Sequence, residues 1–197
     1  TLVLDDGFAH RALRRHVDIV VLRGEAPLGN GHLLPRGSLR EPRSSLRRAH
    51  ILWFHFKNGV VHELPDWVAR EFPQTPTVVS RALVGKVRGE SGEEVGLENI
   101  KVVAATGIAR PDDFFESLGT VGADITESIA FRDHHYFTEK DVQSLRSLKE
   151  QSGARFIAVT AKDWIKLKNY SQGDEFVRLE IEIEIVVGHQ ILQRLYT

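Results

Sequence analysis

From Phe176 to Val187 the chain alternates apolar and charged side chains. Val177, Leu179, Ile181, Ile183 and Ile185 are interleaved with Arg178, Glu180, Glu182 and Glu184. Successive side chains of a strand point to opposite faces, so a period of two over this length predicts one long strand with one wet face. Such a strand suits a sheet edge or a link between two lobes.

Other apolar runs are shorter and do not alternate. Leu2-Val3-Leu4, Ile19-Val20-Val21-Leu22 and Ile51-Leu52-Trp53-Phe54 are bounded by turn residues. Runs of this kind fit strands buried on both faces of a parallel sheet. From Ile100 onward, strands and helices alternate. Strands are expected at Lys101–Ala105, Asp124–Phe131 and Phe156–Val159. Pro111 suits the first position of a helix carrying Phe114, Phe115 and Leu118. Thr138 followed by Asp141 opens another, whose apolar face is Val142, Leu145 and Leu148 and which stops before Gly153. Trp164, Ile165 and Leu167 mark a short helix, and residues 188–195 a closing one. Between the lobes, Asp66–Phe72 reads as a helix, Thr77–Val79 as a strand and Arg88–Gly96 as a charged turn.

The expectation is therefore an α/β protein in three pieces. Residues 1–57 form part of a parallel-sheet lobe, 58–99 a connection, and 100–197 a smaller second α/β lobe. The chain opens in mid-strand at Thr1 and contains no methionine, so it is expected to be a piece of a longer protein.

Composition narrows the function classes. Apolar residues make up 42% and charged residues 27%, with a formal net charge of −1. No global field recruits nucleic acid at that charge. The absence of cysteine removes disulfides and thiolate metal sites. No run reaches the roughly 18 apolar residues of a membrane span, so membrane contact is expected to be peripheral or carried by another segment. The first quarter is locally basic, with Arg11, Arg14, Arg15, Arg36, Arg40, Arg43, Arg47 and Arg48. That face is either a docking surface for an anionic lipid or an ordinary solvated one.

Candidate chemistry starts at Asp5-Asp6-Gly7. Acids at the carboxyl end of an apolar strand stand where a nucleotide-bound metal is held in parallel α/β sheets. An Asp-Gly turn with a helix N-cap produces the same pattern. The loop from Arg23 to Ser45 is long enough to suggest function, and it contains Asn30, Arg40 and Glu41. Farther on lie Asp133-His134-His135. Adjacent histidines of a strand point apart, so both rarely ligate one ion.

These segments, taken together, resemble the lipid A 4'-kinases (tetraacyldisaccharide 4'-kinases). Asp5-Asp6-Gly7-Phe8-Ala9-His10 resembles the family's D-D-G-F-Q-H, followed in order by Gly29-Asn30-Gly31, Leu33-Leu34-Pro35 and Leu39-Arg40-Glu41-Pro42. Gly107-Ile108 through Pro111 to Phe114-Phe115 resembles its G-I-x-x-P-x-x-F-F. Asp133-His134-His135 resembles its D-H-H, and Val159-Thr160-Ala161-Lys162-Asp163 its V-T-x-K-D. Ala9 replaces the usual Gln and Ala161 the usual Glu. The family's G-x-x-x-x-G-K-[ST] phosphate loop occurs nowhere in this sequence.

The resemblance implies a P-loop-kinase-like sheet lobe. The implied reaction moves the γ-phosphate of ATP to the 4'-hydroxyl of a tetraacylated disaccharide 1-phosphate, the lipid A precursor, with Mg²⁺. It implies a peripheral enzyme at the cytoplasmic face of the bacterial inner membrane, touching the membrane through a segment outside this chain. By the same resemblance Asp5 and Asp6 serve the metal and catalysis, and His10, Asn30, Arg40 and Glu41 bind phosphate or substrate, with Glu41 orienting Arg40 or a substrate hydroxyl. Arg40 also assists transfer, and His134 supports a catalytic carboxylate absent from this chain. Two other classes stay open: a non-catalytic lipid- or nucleotide-binding module, and a metal-dependent phosphohydrolase built on Asp5, Asp6, His10 and residues 133–135.

Overall fold

The computed structural model describes residues 2–57 and 59–195. Thr1, where the first expected strand opens, and Asn58, where the expected connection begins, lie outside them, as do Tyr196 and Thr197. In chain order the elements are β1 (Ile19–Arg23), β2 (Ile51–Phe56), α1 (Asp66–Glu71), β3 (Thr77–Arg88), β4 (Lys101–Thr106), α2 (Pro111–Thr120), β5 (Asp124–Ala130), α3 (Glu139–Ser152), β6 (Phe156–Thr160), α4 (Ala161–Leu167), β7 (Phe176–Val187) and α5 (His189–Gln193). The fold is α/β, as the apolar runs and their helical spacers require.

The chain divides into two compact units, along boundaries other than those of the three expected pieces. One comprises residues 1–83 with 183–197, and the other Val84–Glu182. The cause is the length of β3 and β7, each of which contributes to both units.

In the first unit β1, β2 and β3 pair in parallel, with Ile19 opposite Ile51 and Leu52 opposite Thr77. Leu52, Phe54, Phe56 and Val79 are buried together with Val68 and Phe72 from the α1 segment and Leu46 from a 3-10 turn at Arg43–Arg48. β3 continues past Val79 through polar residues because they find partners. The buried Ser80 hydroxyl meets the Trp53 indole N–H at 2.7 Å and His55 Nδ1 at 2.9 Å, and Arg81 pairs with Glu184 at 2.5 Å.

The first expected strand is not formed. Leu2 and Val3 are 88% and 87% exposed and lie in irregular chain with Leu4. An apolar run becomes a strand only where a neighbour takes its backbone hydrogen bonds, and among the described residues none does so here. Asp5 and Asp6 therefore form a turn rather than the end of a strand.

The second unit is a parallel sheet in the order β5-β4-β6-β7. Both faces of β4 are covered, which explains its unbroken apolar sequence. Val102 and Ala104 face Phe114 and Leu118 of α2. Val103 and Ala105 face Val142 and Leu145 of α3 and Leu167 of α4. Thr138 and Asp141 form the expected capping box, and Gly153 closes α3 at φ 66°. The order has a mechanical consequence. From β4 the chain turns outward through α2 to β5, whereas from β6 it turns the other way through α4 to β7. The gap between the carboxyl ends of β4 and β6 is thus a topological switch point, where open α/β sheets bind ligands.

The expected division of β7 into one wet and one dry face is not what forms: its first residues are covered on both faces, with Phe176 in one core cluster and Val177 and Leu179 in the other. Phe176, Val177 and Leu179 are buried, but Ile181, Ile183, Val186 and Val187 are exposed. Alternation specifies which side chains share a face; burial needs an element packed against that face.

Candidate functional site

In the first unit the Asp5–His10 segment is a series of tight turns. His10 N–H donates to the Gly7 carbonyl at 3.0 Å, and Asp6 sits at φ 53°, a left-handed conformation that Asp tolerates better than most residues. Arg15 anchors these turns. Its guanidinium reaches the His10 carbonyl at 2.5 Å and the Phe8 carbonyl at 3.5 Å, and it bonds both oxygens of Asp18 at 2.7 and 3.4 Å. Asp18 lies just before β1, and its backbone N–H donates to His50 Nδ1. One guanidinium thereby ties the acidic turn to the edge of the sheet. The Arg15 and Asp18 side chains are only 15% and 16% exposed.

Arg48 supports the same segment from the other side. Its charge lies 4.5 Å from the centre of the Phe8 ring, and its fork bonds both oxygens of Glu41 at 2.8 and 3.1 Å. Hydrogen bonds from Arg48 and then Ser45 hold the Glu41 carboxyl below the ordinary carboxylate range, against a smaller opposing effect of burial. The family resemblance gives Glu41 the role of orienting Arg40 or a substrate hydroxyl. In the structure Arg48 holds Glu41, while Arg40 pairs with Asp6. That second pair is open to solvent, with side chains 66% and 70% exposed.

Asn30 organises its own loop. Its amide donates to the Arg36 carbonyl at 2.9 Å and its oxygen accepts the His32 N–H at 3.2 Å. A Cβ on Gly37 would lie 2.1 Å from that oxygen, so only glycine fits there. Asp5, His10, Asn30 and Arg40 are all exposed, and Glu41 is half-buried. Much of the basic quarter is already neutralised: Arg15 by Asp18, Arg40 by Asp6, Arg43 by Glu71 and Arg48 by Glu41.

Asp5 and Asp6 offer hard carboxylate oxygens on adjacent residues. Mg²⁺ takes one or two carboxylates and completes its shell with water and phosphate, so this donor set suits it. Among the described residues no group of three or more His, Cys, Asp or Glu is gathered as a full protein cage.

In the second unit the Asp133–His135 turn follows β5. Phe131 N–H donates to the Thr106 carbonyl at 2.8 Å and His134 N–H to the Gly107 carbonyl at 3.1 Å. The two histidines differ sharply. His135 stacks on Phe131 with centroids 4.7 Å apart, meets Phe137 edge-on and reaches Asp141 at 3.1 Å. Burial raises the Asp141 carboxyl, but hydrogen bonds from Thr138 and His135 outweigh it and hold Asp141 below its ordinary value. His134 stands at φ 60° with its side chain 74% exposed, against 27% for His135. His135 is committed to packing; His134 is presented to solvent.

The family model for tetraacyldisaccharide-1-P 4'-kinase matches residues 1–196. The chain belongs to that family. The tetraacyldisaccharide 4'-kinase of Anaeromyxobacter dehalogenans (strain 2CP-C) is 37% identical over 202 residues, covering 98% of this chain and 53% of the relative. That of Anaeromyxobacter sp. (strain Fw109-5) is 40% identical over 199 residues, covering 97% and 53%. A crystal structure of LpxK from Aquifex aeolicus, described as its apo form in complex with ATP, superposes with a TM-score of 0.67 at 25% identity. It covers 97% of this chain and 55% of that one. This member of the 4'-kinase family spans about half the length of the curated relatives it matches. The structure adds the residues that hold the acidic turn, Glu41 and the Asp133–His135 turn in place. Arg15 and Asp18, three apart and opposite in charge, left a trace in the sequence. The pairing of Arg48 with Glu41 left none, because a 3-10 turn rather than a regular helix brings them together.

Proposed function

We propose that the protein containing this chain transfers the γ-phosphate of ATP to the 4'-hydroxyl of a tetraacyldisaccharide 1-phosphate. The observation that carries this is the match to the 4'-kinase family along residues 1–196, and the ATP complex of the Aquifex aeolicus protein agrees with it.

Phosphoryl transfer is mainly positioning and charge stabilisation. Asp5 and Asp6 hold Mg²⁺, which when bound neutralises charge on the phosphate oxygens. Arg40 clamps phosphate with its planar fork. Its pairing with Asp6 is a resting arrangement: an exposed ion pair contributes about 0–1 kcal/mol, so both partners are released at small cost when phosphate arrives. His10 donates a hydrogen bond beside them, on a backbone fixed by Arg15. Glu41, kept ionised by Arg48, accepts from a substrate hydroxyl, and the loop that Asn30 closes lies against the substrate. His134 supports the carboxylate that receives the hydroxyl proton, supplied by a segment outside this chain. The enzyme acts peripherally at the cytoplasmic face of the bacterial inner membrane, through a further segment. No helix among the described residues is long and apolar enough to cross a membrane.

The test is to incubate the complete protein with Mg²⁺, labelled ATP and lipid acceptor, beside this chain alone. Label on the 4'-hydroxyl is expected from the complete protein and none from the chain, which has no phosphate loop. Binding of acceptor without transfer would instead identify a binding module. Phosphate released from the acceptor without ATP would identify a hydrolase.

A further inference from the structure

Asp163 is completely buried, yet only one of its two oxygens is hydrogen-bonded. Its Oδ2 accepts from Thr106 Oγ1 at 2.8 Å, Gly107 N–H at 3.0 Å and Thr160 Oγ1 at 2.8 Å. Those donors lie at the carboxyl ends of β4 and β6, the two sides of the switch point. Oδ1 makes no hydrogen bond and lies 3.6 Å from Lys166 Nζ. The same ammonium donates to the His135 carbonyl at 3.0 Å. Lys166 therefore bridges a buried carboxylate and the backbone of the histidine turn.

Capping α4 does not by itself require a charge. A neutral Asn can accept from Thr106, Gly107 and Thr160 through its oxygen, and an isolated buried carboxylate is costly. What only an anion can do here is hold an ammonium against the His135 carbonyl. That turn needs holding. His134 at φ 60° is in the left-handed region, which costs a non-glycine residue on the order of 1–2 kcal/mol and persists only where its surroundings impose it. Beside the packing of His135, three ties run from this segment to the end of β4 and to α4: Phe131 N–H to Thr106, His134 N–H to Gly107, and Lys166 to His135. Asp163 contacts the residues at the far end of every one of them.

We propose that Asp163, acting through Lys166, is a positioning residue that sets the Asp133–His135 turn at the switch point of the second unit and so fixes the backbone that carries His134. The inference rests on the reading of His134 given under Proposed function.

Asp163→Asn keeps the shape and the three donors to one oxygen but sets an amide N–H₂ against the ammonium. Lys166→Met removes the tie from the other side and leaves the α4 cap intact. In the complete enzyme each should lower kcat about 10²-fold, the order expected for a misplaced catalytic group, with KM for ATP unchanged. In a His134→Ala background Lys166→Met should cost nothing further. Hydrogen exchange of the segment 131–137 should accelerate in Lys166→Met, whatever the activity. An undiminished effect of Lys166→Met in the His134→Ala background would overturn the proposal, as would unchanged exchange at 131–137. If His134→Ala leaves kcat intact, the catalytic reading of His134 fails, and the exchange result alone decides whether Asp163 and Lys166 set the turn.

Discussion

Arg15→Met removes the guanidinium that holds the acidic turn while keeping most of the apolar stem. Three links are lost: the paired bonds to Asp18 at 2.7 and 3.4 Å, the bond to the His10 carbonyl at 2.5 Å and a longer contact to Phe8. A hydrogen bond to a charged group contributes about 1.5–3 kcal/mol net, but bonds from one side chain do not add. Stranding Asp18 has its own cost. A fully buried pair broken on one side loses about 3–5 kcal/mol, an exposed one less than about 1. With side chains about one-sixth exposed, the pair stands near the lower end of the buried range, and we expect about 2–3 kcal/mol. Urea unfolding followed through Trp53 and Trp67 of the first unit measures it. With a urea slope of about 2 kcal/mol/M, the midpoint should fall by about 1–1.5 M. Asp18→Asn should rescue part of the loss, since removing both partners costs less than stranding one. A midpoint within about 0.25 M of the parent would show that Arg15 and Asp18 are a solvated pair, and that the turn is held by other contacts.

Asp6→Ala should change stability by less than about 1 kcal/mol, because its partner Arg40 is exposed, yet lower turnover of the complete enzyme severely; near-normal kcat beside thermal melting would reject the metal role. His134→Ala should slow transfer by no more than about 10²–10⁴-fold with little change in ATP affinity or melting temperature. His135→Ala should do the reverse, destabilising by about 1–3 kcal/mol through lost stacking and the lost bond to Asp141, and equal kinetic effects would refute the division of roles. For Glu175 burial raises the carboxyl, but hydrogen bonds from Arg146 and the Gln172 N–H prevail and hold it below its ordinary value. Its contribution is therefore present above the unfolded carboxylate pKa and lost as pH falls through the depressed folded one. Melting curves between pH 7 and pH 3 should show Glu175→Gln flattening that loss, and parallel curves would contradict the assignment.

Local pattern determined much of this protein. The period of two bounded β7 at Phe176–Val187, the apolar runs located β1, β2, β4 and β6, and Thr138, Asp141 and Gly153 delimited α3, because strand alternation and helix capping are set by neighbours in the chain. The order of short motifs was enough to suggest the family. Tertiary structure decided the partners. Arg40 meets Asp6 from 34 residues away and Asp163 meets Thr106 from 57, and no periodicity encodes such distances. It decided that Leu2-Val3-Leu4 forms no strand, that β3 runs on through Ser80 and Arg81, and that Ile181 and Ile183 stay exposed. It also gave the adjacent His134 and His135 different surroundings, the first exposed and the second packed against Phe131 and Phe137. The reason is the same in each case: a residue's chemistry is local, but its burial, its charge partner and its backbone strain are set by whichever element the fold brings against it.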